Sequence, residues 1–133
     1  MRIADIEGIG PAYAAKLNNV GIRTTQALLD KGCGPEERKL LAATAGIGES
    51  LILEWVNLAD LYRLKGVGSE YSDLLEEAGV DTVVELANRV PENLLAKMVE
   101  VNKTKNLVNK MPGLKQIKAW IAQAKKMPRI VTY

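Results

Sequence analysis

Apolar residues recur at helical spacing in two segments of the chain. The residues of the two stripes are Leu51, Ile52, Trp55, Val56 and Ala59, and then Ile117, Trp120, Ile121 and Ala124. Steps of three and four positions put such residues on one face of an α-helix. The strict alternation that is typical of strands is absent apart from residues 129–133. The pattern therefore predicts an all-α protein with a short extended tail.

The chain contains an internal repeat. Residues 6–29 align without a gap with residues 64–87, and seven aligned positions are identical. The identical pairs are Gly8/Gly66, Gly10/Gly68, Tyr13/Tyr71, Leu17/Leu75, Gly21/Gly79, Thr24/Thr82 and Leu28/Leu86. Further along, Trp55 aligns with Trp120 at an offset of 65 instead of 58. Such self-similarity predicts two structural copies, residues 1–60 and 61–133, with a basic helical insertion near residues 101–111.

Prolines and a threonine mark helix starts in both copies. Pro11, Pro35 and Pro91 stand where first helical positions are expected, because the missing N–H of proline costs nothing there. Thr82 is followed three residues later by Glu85, which is the spacing of a capping box. We therefore expect about five short helices in each copy, joined by tight turns.

Three fragments share one pattern, in which a glycine, a β-branched apolar residue and a second glycine precede a helix start. The fragments are Gly8-Ile9-Gly10, Gly46-Ile47-Gly48 and Gly66-Val67-Gly68. The glycines permit a turn whose backbone N–H groups face outward, and the following helix N-terminus adds a partial positive charge. Such a turn is suited to a phosphate group. The alternative interpretation is that glycine turns only let helices pack closely.

The segments IEGIGPAYAAKLNNVGIRTTQALL and AGIGESLILEWV resemble the double helix-hairpin-helix domain at the N-terminus of archaeal and eukaryotic strand-exchange recombinases. The tandem arrangement and the ending PRIVTY also resemble a bacterial family of uncharacterised small helix-hairpin-helix proteins. The resemblance implies two tandem five-helix domains and sequence-independent contact with a nucleic-acid backbone through hairpin amides. It also implies that a hairpin can hold a monovalent cation on its carbonyl oxygens, and we expect no other cofactor.

Charge is distributed unevenly along the chain, although the net charge is only +2. Residues 1–96 carry 9 basic and 15 acidic side chains, whereas residues 97–133 carry nine basic side chains and the single acid Glu100. A polyanion should prefer this C-terminal end. The hairpin residues and the C-terminal lysines together form the predicted nucleic-acid-binding set. Its members are Gly8, Ile9, Gly10, Ala12, Lys16, Gly46, Gly48, Gly66, Gly68, Lys103, Lys105, Lys110, Lys115 and Lys118.

The position two residues after the second glycine departs from the family pattern. In DNA-binding helix-hairpin-helix domains a basic residue commonly stands there, where it reaches the same phosphate as the amides. In this chain the position holds Ala12, Ser50 and Glu70 after the three glycine pairs, and Lys115 after a fourth turn that lacks the first glycine. The first hairpin, with Lys16 one helical turn further on, is therefore the best expected phosphate contact.

Composition excludes most enzyme chemistry. The chain has no His and one Cys, Cys33, which removes imidazole bases, Cys–His nucleophile pairs and intrachain disulfides. Glu70, Asp73 and Glu77 share a helical face, but a catalytic metal cluster draws ligands from several elements, so we expect them to be solvated. No apolar run reaches the roughly 18 residues of a membrane helix, and the acidic start is unlike a signal peptide. We predict a cytoplasmic protein that is neither an enzyme nor membrane-bound.

Two functions stay open at this point. The first is sequence-independent binding of DNA or another nucleic acid through its backbone. The second is an adaptor that binds an acidic or mixed-charge protein with the same fold and without nucleic acid. Trp55 and Trp120 occupy equivalent places in the repeat, which predicts core packing and not a stacking platform for bases.

Overall fold

The computed structural model describes residues 2–6 and 8–133 of the chain. Over these residues it contains eight α-helices and a 3-10 turn at Ile3–Asp5, with no strand beyond one isolated bridge between Arg2 and Thr24. The predicted all-α class is confirmed. The chain divides into two compact units, which we call unit 1 (Met1–Asp60 with Ile130–Tyr133) and unit 2 (Leu61–Arg129).

Unit 1 is built on four helices. They are α1 (Pro11–Asn19), α2 (Thr25–Gly32), α3 (Pro35–Ala45) and α4 (Glu49–Leu61), the last of which ends one residue past the unit. Helix α3 packs against both α1 and α2. Gly32 lets α2 approach α4 closely, because a Cβ at Gly32 would lie 2.6 Å from Val56 Cγ2. The fully buried side chains include Leu17, Ile22, Leu28, Ile52 and Trp55.

Unit 2 is also built on four helices. They are α5 (Ser69–Glu77), α6 (Val83–Ala87), α7 (Pro91–Lys105) and α8 (Leu114–Ala124). Helix α8 packs against α6 and α7, and α5 packs against α7. The core includes Leu74, Leu86, Leu94, Met98 and Trp120. The expected five helices in each copy are not confirmed, since each unit has four α-helices within the described part of the chain.

The repeat is visible in backbone conformation. Gly8 and Gly66 both have φ +88°, and Gly21 and Gly79 have φ +84° and +96°. Glycine adopts this left-handed region without the steric cost that a Cβ brings. The residue after Gly21 or Gly79 then donates its N–H to a leucine carbonyl five positions earlier, at 2.9 Å in both units. Positions that align in sequence therefore form the same turns in the two units.

A threonine stands directly before the second helix of each unit and caps its first turn. Thr24 Oγ1 accepts from the Ala27 N–H at 3.1 Å, and Thr82 Oγ1 accepts from the Glu85 N–H at 3.3 Å. Glu85 Oε2 in turn accepts from the Asp81 N–H at 2.9 Å. The threonine half of the predicted capping box is confirmed, whereas the Glu85 carboxylate binds the N–H one residue before the cap instead of the N–H of Thr82 itself.

The extra residues of the second copy do not form a separate helix. Residues 101–105 continue α7, which has 15 residues where α3 has 11. Residues 106–113 form an irregular loop. Asn106 ends α7 in the left-handed conformation with φ 49°, as Gly46 ends α3 with φ 71°. The predicted helical insertion is therefore corrected to a longer helix and a loop, because a left-handed Asn is compatible with a helix end but not with its interior.

Residues 130–133 follow the second copy in sequence but are part of unit 1 in space. The buried Arg38 guanidinium, on a residue only 5% exposed, donates to the carbonyl oxygens of Gly32 at 3.0 Å, Cys33 at 3.1 Å and Thr132 at 2.7 Å. The Thr132 N–H also donates to Cys33 O at 2.8 Å. The tail is thus bound to the junction between α2 and α3. No helix in the described ranges is both long and apolar enough to traverse a lipid bilayer.

Candidate nucleic-acid interface

The three glycine turns lie at the surface. We call them turn 1 (Gly8–Gly10), turn 2 (Gly46–Gly48) and turn 3 (Gly66–Gly68); five of their six glycines are exposed and Gly68 is partly exposed. The central residues Ile9, Ile47 and Val67 are only 6%, 6% and 5% exposed. The predicted anchoring of the central residue is confirmed, and it leaves the glycine backbone open to solvent.

The space in front of the second glycine is open in each turn. A Cβ at Gly10, Gly48 or Gly68 would meet no atom within 4 Å. Helices α1 and α5, which start after Gly10 and Gly68, have no side-chain hydrogen bond at their N-cap among the described residues. Helices α2 and α6 are instead capped by threonine hydroxyls. The first-turn N–H groups after turns 1 and 3, like those at the starts of α3, α7 and α8, therefore have no side-chain cap in the described part of the chain and can meet an outside acceptor such as a phosphate oxygen.

A tryptophan lies beneath turn 1 and another beneath turn 3. A Cβ on the first glycine of these turns would lie 3.8 Å and 3.4 Å from the indole nitrogens of Trp55 and Trp120. Tyr13 packs on Trp55 with 5.1 Å between ring centroids, and Tyr71 packs on Trp120 with 5.4 Å. The tryptophans are 1% and 2% exposed, which confirms their predicted core role. Their rings support the turns and are too buried to stack on bases.

Lys16 connects turn 1 to turn 2 within unit 1. Its Nζ donates to the carbonyl oxygen of Gly46 at 3.3 Å and lies 5.9 Å from the centroid of the Tyr13 ring. The side chain is exposed, so its charge stays available at the surface. A monovalent cation on the Gly46 carbonyl does not fit this arrangement, because the ammonium already occupies that oxygen and would repel a second positive charge.

The predicted lysines of unit 2 are exposed but not equivalent. Lys105 Nζ lies 2.6 Å from Glu77 Oε2, and Lys118 Nζ lies 3.8 Å from Glu92 Oε1. The hydrogen bond to Glu77, together with the charge of that carboxylate, raises the pKa of Lys105. The other three have no ion pair within the described ranges, and they are Lys103, Lys110 and Lys115. These three are the lysines best placed to meet phosphates.

An acidic cluster lies on α5, the helix that follows turn 3. Carboxylate oxygens of Asp73, Glu76 and Glu77 lie within 4.8 Å of one another. Glu70, in the first turn of the same helix, is exposed. The negative field of these groups opposes a phosphate at turn 3. Turn 3 therefore has the backbone geometry of turn 1, but acidic side chains follow it on α5, whereas Lys16 follows turn 1 on α1.

Residues 106–113 are held by two side chains that were not among the predicted site residues. Asn102 Oδ1 accepts from the N–H groups of Leu107 at 2.8 Å and Val108 at 3.0 Å, and Asn102 Nδ2 donates to Val108 O at 3.1 Å. Tyr71 Oη donates to Lys110 O at 3.0 Å. The larger repeat offset signals the extra residues, but the sequence holds no signal for which side chains fix them.

The fold and site define an all-α protein with a duplicated frame and exposed glycine turns. The family described as Domain of unknown function (DUF4332) matches residues 7–127, and the chain belongs to this family. Comparisons with curated proteins and with solved structures gave no match. The resemblance to an uncharacterised family is thereby confirmed, whereas no comparison confirms the resemblance to the helix-hairpin-helix domain of recombinases.

Proposed function

We propose that the chain is a tandem double helix-hairpin-helix protein of the cytoplasm that binds the phosphate backbone of DNA or another nucleic acid independently of base sequence. The observation that carries the proposal is the repeated exposed glycine turn, with open space at its second glycine and a helix start that lacks a side-chain cap. Backbone N–H groups in this position favour anions. The proposal assigns the chain neither catalysis nor a cofactor.

Lysines supply the attraction that the amides need. Residues 101–133 contain eight basic residues and no acidic residue. Lys103, Lys110 and Lys115 are exposed and lack ion pairs among the described residues, and Lys16 adds a charge beside turns 1 and 2. If about four lysines reach phosphates, the logarithm of affinity should fall with the logarithm of salt concentration with a slope of about −3.6 on duplex DNA. Binding at physiological salt should then be weak, with Kd on the order of 10⁻⁴ to 10⁻⁶ M.

Fluorescence anisotropy with labelled duplex and single-stranded oligonucleotides at two salt concentrations tests this proposal. The double variant Lys110→Glu/Lys115→Glu should lose affinity by about tenfold or more, because two phosphate contacts become repulsive. The double variant Lys31→Glu/Lys39→Glu is the control, since it changes net charge equally on exposed lysines of unit 1. Equal losses in both variants, or no binding by the natural chain at low salt, would refute the proposal.

One observation favours the adaptor as a second candidate. Leu40 is 70% exposed and lies in the lining of a groove on unit 1, together with Val20, Lys31, Glu37, Leu41 and Thr44. An exposed apolar residue in a groove is more typical of a protein contact than of a phosphate contact. Recovery of a protein partner with the natural chain, and its loss with Leu40→Glu, would favour the adaptor over nucleic-acid binding.

A further inference from the structure

We infer that Tyr71 and Asn102 are positioning residues for nucleic acid, because they hold the loop of residues 106–113 so that Lys110 is fixed ahead of α8. The inference rests on the proposed function and names the part of unit 2 that makes the contact. Neither residue is charged, and neither is proposed to touch the ligand. Their effect passes through the backbone of the loop.

The loop is held at Leu107, Val108 and Lys110 although it has no regular secondary structure. Asn102 makes three hydrogen bonds to the backbone of Leu107 and Val108, and Tyr71 makes one to the backbone of Lys110. The side chain of Val108 is buried, at 3% exposed, which adds an apolar anchor to the backbone bonds of the same residue. A loop fixed in this way has already lost most of the backbone freedom that a ligand would otherwise have to restrict.

The fixed loop presents donors and a cation and no carboxylate. Asn106, Asn109, Lys110 and Gly113 are exposed within the loop, and Lys115 is exposed in the first turn of α8. A Cβ at Gly113 would meet no atom within 4 Å, so the start of α8 is as open as the glycine turns. The Gly113 N-cap has no side-chain hydrogen bond among the described residues. A phosphate bound at this helix start would therefore contact backbone that is flanked in sequence by Lys110 and Lys115, which have no ion pair among the described residues.

Unit 1 contains no counterpart of this loop. Gly46 ends α3 and begins turn 2 directly, so only three residues separate α3 from α4. Tyr13 packs on Trp55 as Tyr71 packs on Trp120. The carbonyl that the Tyr71 hydroxyl binds belongs to the extra residues of the second copy. A comparison of Tyr13 with Tyr71 therefore distinguishes two roles. Both tyrosines pack on a tryptophan, but only the hydroxyl of Tyr71 binds the inserted loop.

The test compares Tyr71→Phe with Tyr13→Phe in titrations of a labelled duplex at low salt. Both changes keep the ring against tryptophan and remove only a hydroxyl. We expect Tyr71→Phe to weaken binding about three- to fivefold, which is the effect of one lost hydrogen bond that orders a contact. We expect Tyr13→Phe to bind as tightly as the natural chain. Equal affinities for the two variants would overturn the inference.

A double-mutant cycle identifies the residue through which Tyr71 acts. Lys110→Gln should weaken binding by itself, and adding Tyr71→Phe or Asn102→Ala to Lys110→Gln should weaken it no further. Additive losses would show that Tyr71 and Asn102 act independently of Lys110, and would overturn the inference. Absence of binding by the natural chain would overturn the proposed function and the inference together. Binding that depends on Lys110 but not on Tyr71 would overturn the inference alone.

Discussion

The two units share their turns but use one equivalent buried position in opposite ways. Arg38 and Leu94 each stand three residues after the proline that begins the third helix of their unit, and they are 5% and 1% exposed. Leu94 joins the apolar core of unit 2. Arg38 extends a guanidinium to three carbonyls and so binds the returning tail. The repeated turns have the same backbone conformation in both units, whereas Arg38 and Leu94 at the equivalent helix position make different contacts.

Charge separates the units further. Unit 1 has six basic and eight acidic residues, whereas unit 2 has twelve basic and eight acidic residues. Within unit 2 the acids gather on α5, beside turn 3, and the basic residues dominate from residue 101 onward. Turns with nearly identical geometry thus lie in different fields, and a phosphate should distinguish them by electrostatics.

The largest expected effect tests whether the two cores are equivalent. Trp55→Ala and Trp120→Ala should each lower the free energy of unfolding by about 3–5 kcal/mol, because each removes a buried ring and leaves a cavity. Urea denaturation followed by circular dichroism measures both. Leu40→Ala is the control, since Leu40 is mostly exposed and should change little. A cost below about 1 kcal/mol in either unit would contradict the matched core roles.

The next effect tests the contrast between Arg38 and Leu94. Arg38→Met should lower the free energy of unfolding by about 2–3 kcal/mol, because the carbonyls of Gly32, Cys33 and Thr132 lose a charged donor. Leu94→Met is the matched control and should cost less than about 1.5 kcal/mol, since it conserves volume and apolar character. If the two changes cost the same, the tail contact contributes nothing and the contrast fails.

The third prediction concerns the ion pair that engages Lys105. Glu77→Gln removes the carboxylate 2.6 Å from Lys105 Nζ and weakens the negative field beside turn 3. Affinity for a duplex at low salt should rise about two- to threefold, the size of a surface charge effect. Glu36→Gln, which removes the exposed carboxylate 3.9 Å from Lys39 Nζ in unit 1, is the control and should leave the affinity unchanged. An unchanged affinity for Glu77→Gln would show that α5 lies away from the nucleic acid.

The smallest effect is a pH dependence in unit 2. Burial, then the nearby Glu85 carboxylate, raises the pKa of Asp81, while Arg89 partly offsets the rise. The folded chain therefore holds the Asp81 proton more tightly than the unfolded chain, and this stability is lost as pH rises through the folded pKa. Asp81→Asn should slightly raise the melting temperature at pH 7, and the gain should vanish below the ordinary aspartate pKa of about 3.9. A gain that persists at pH 3 would exclude this cause.

Features that depend on neighbouring residues were predictable from the sequence. The helical class, the Thr82 cap, the buried central residues of the turns and the tryptophan cores follow from spacing of a few positions or from the repeat itself. The tail contact of Arg38 spans 94 positions and the Lys105–Glu77 pair spans 28, so no local pattern indicates either. The inserted loop was located by its offset, but its conformation depends on hydrogen bonds from Asn102 and Tyr71.

Mapping of the backbone amides by ¹⁵N NMR during titration with a duplex tests whether the glycine turns bind phosphates. We expect the largest chemical-shift changes at Gly10, Ala12, Gly48 and Ser50 in unit 1 and at Gly113 and Lys115 in unit 2, with small changes at Gly68 beside the acidic cluster. If the chemical shifts of these amides do not change, or if the changes concentrate around Leu40, the claim that the open glycine turns and nearby lysines bind phosphates is contradicted.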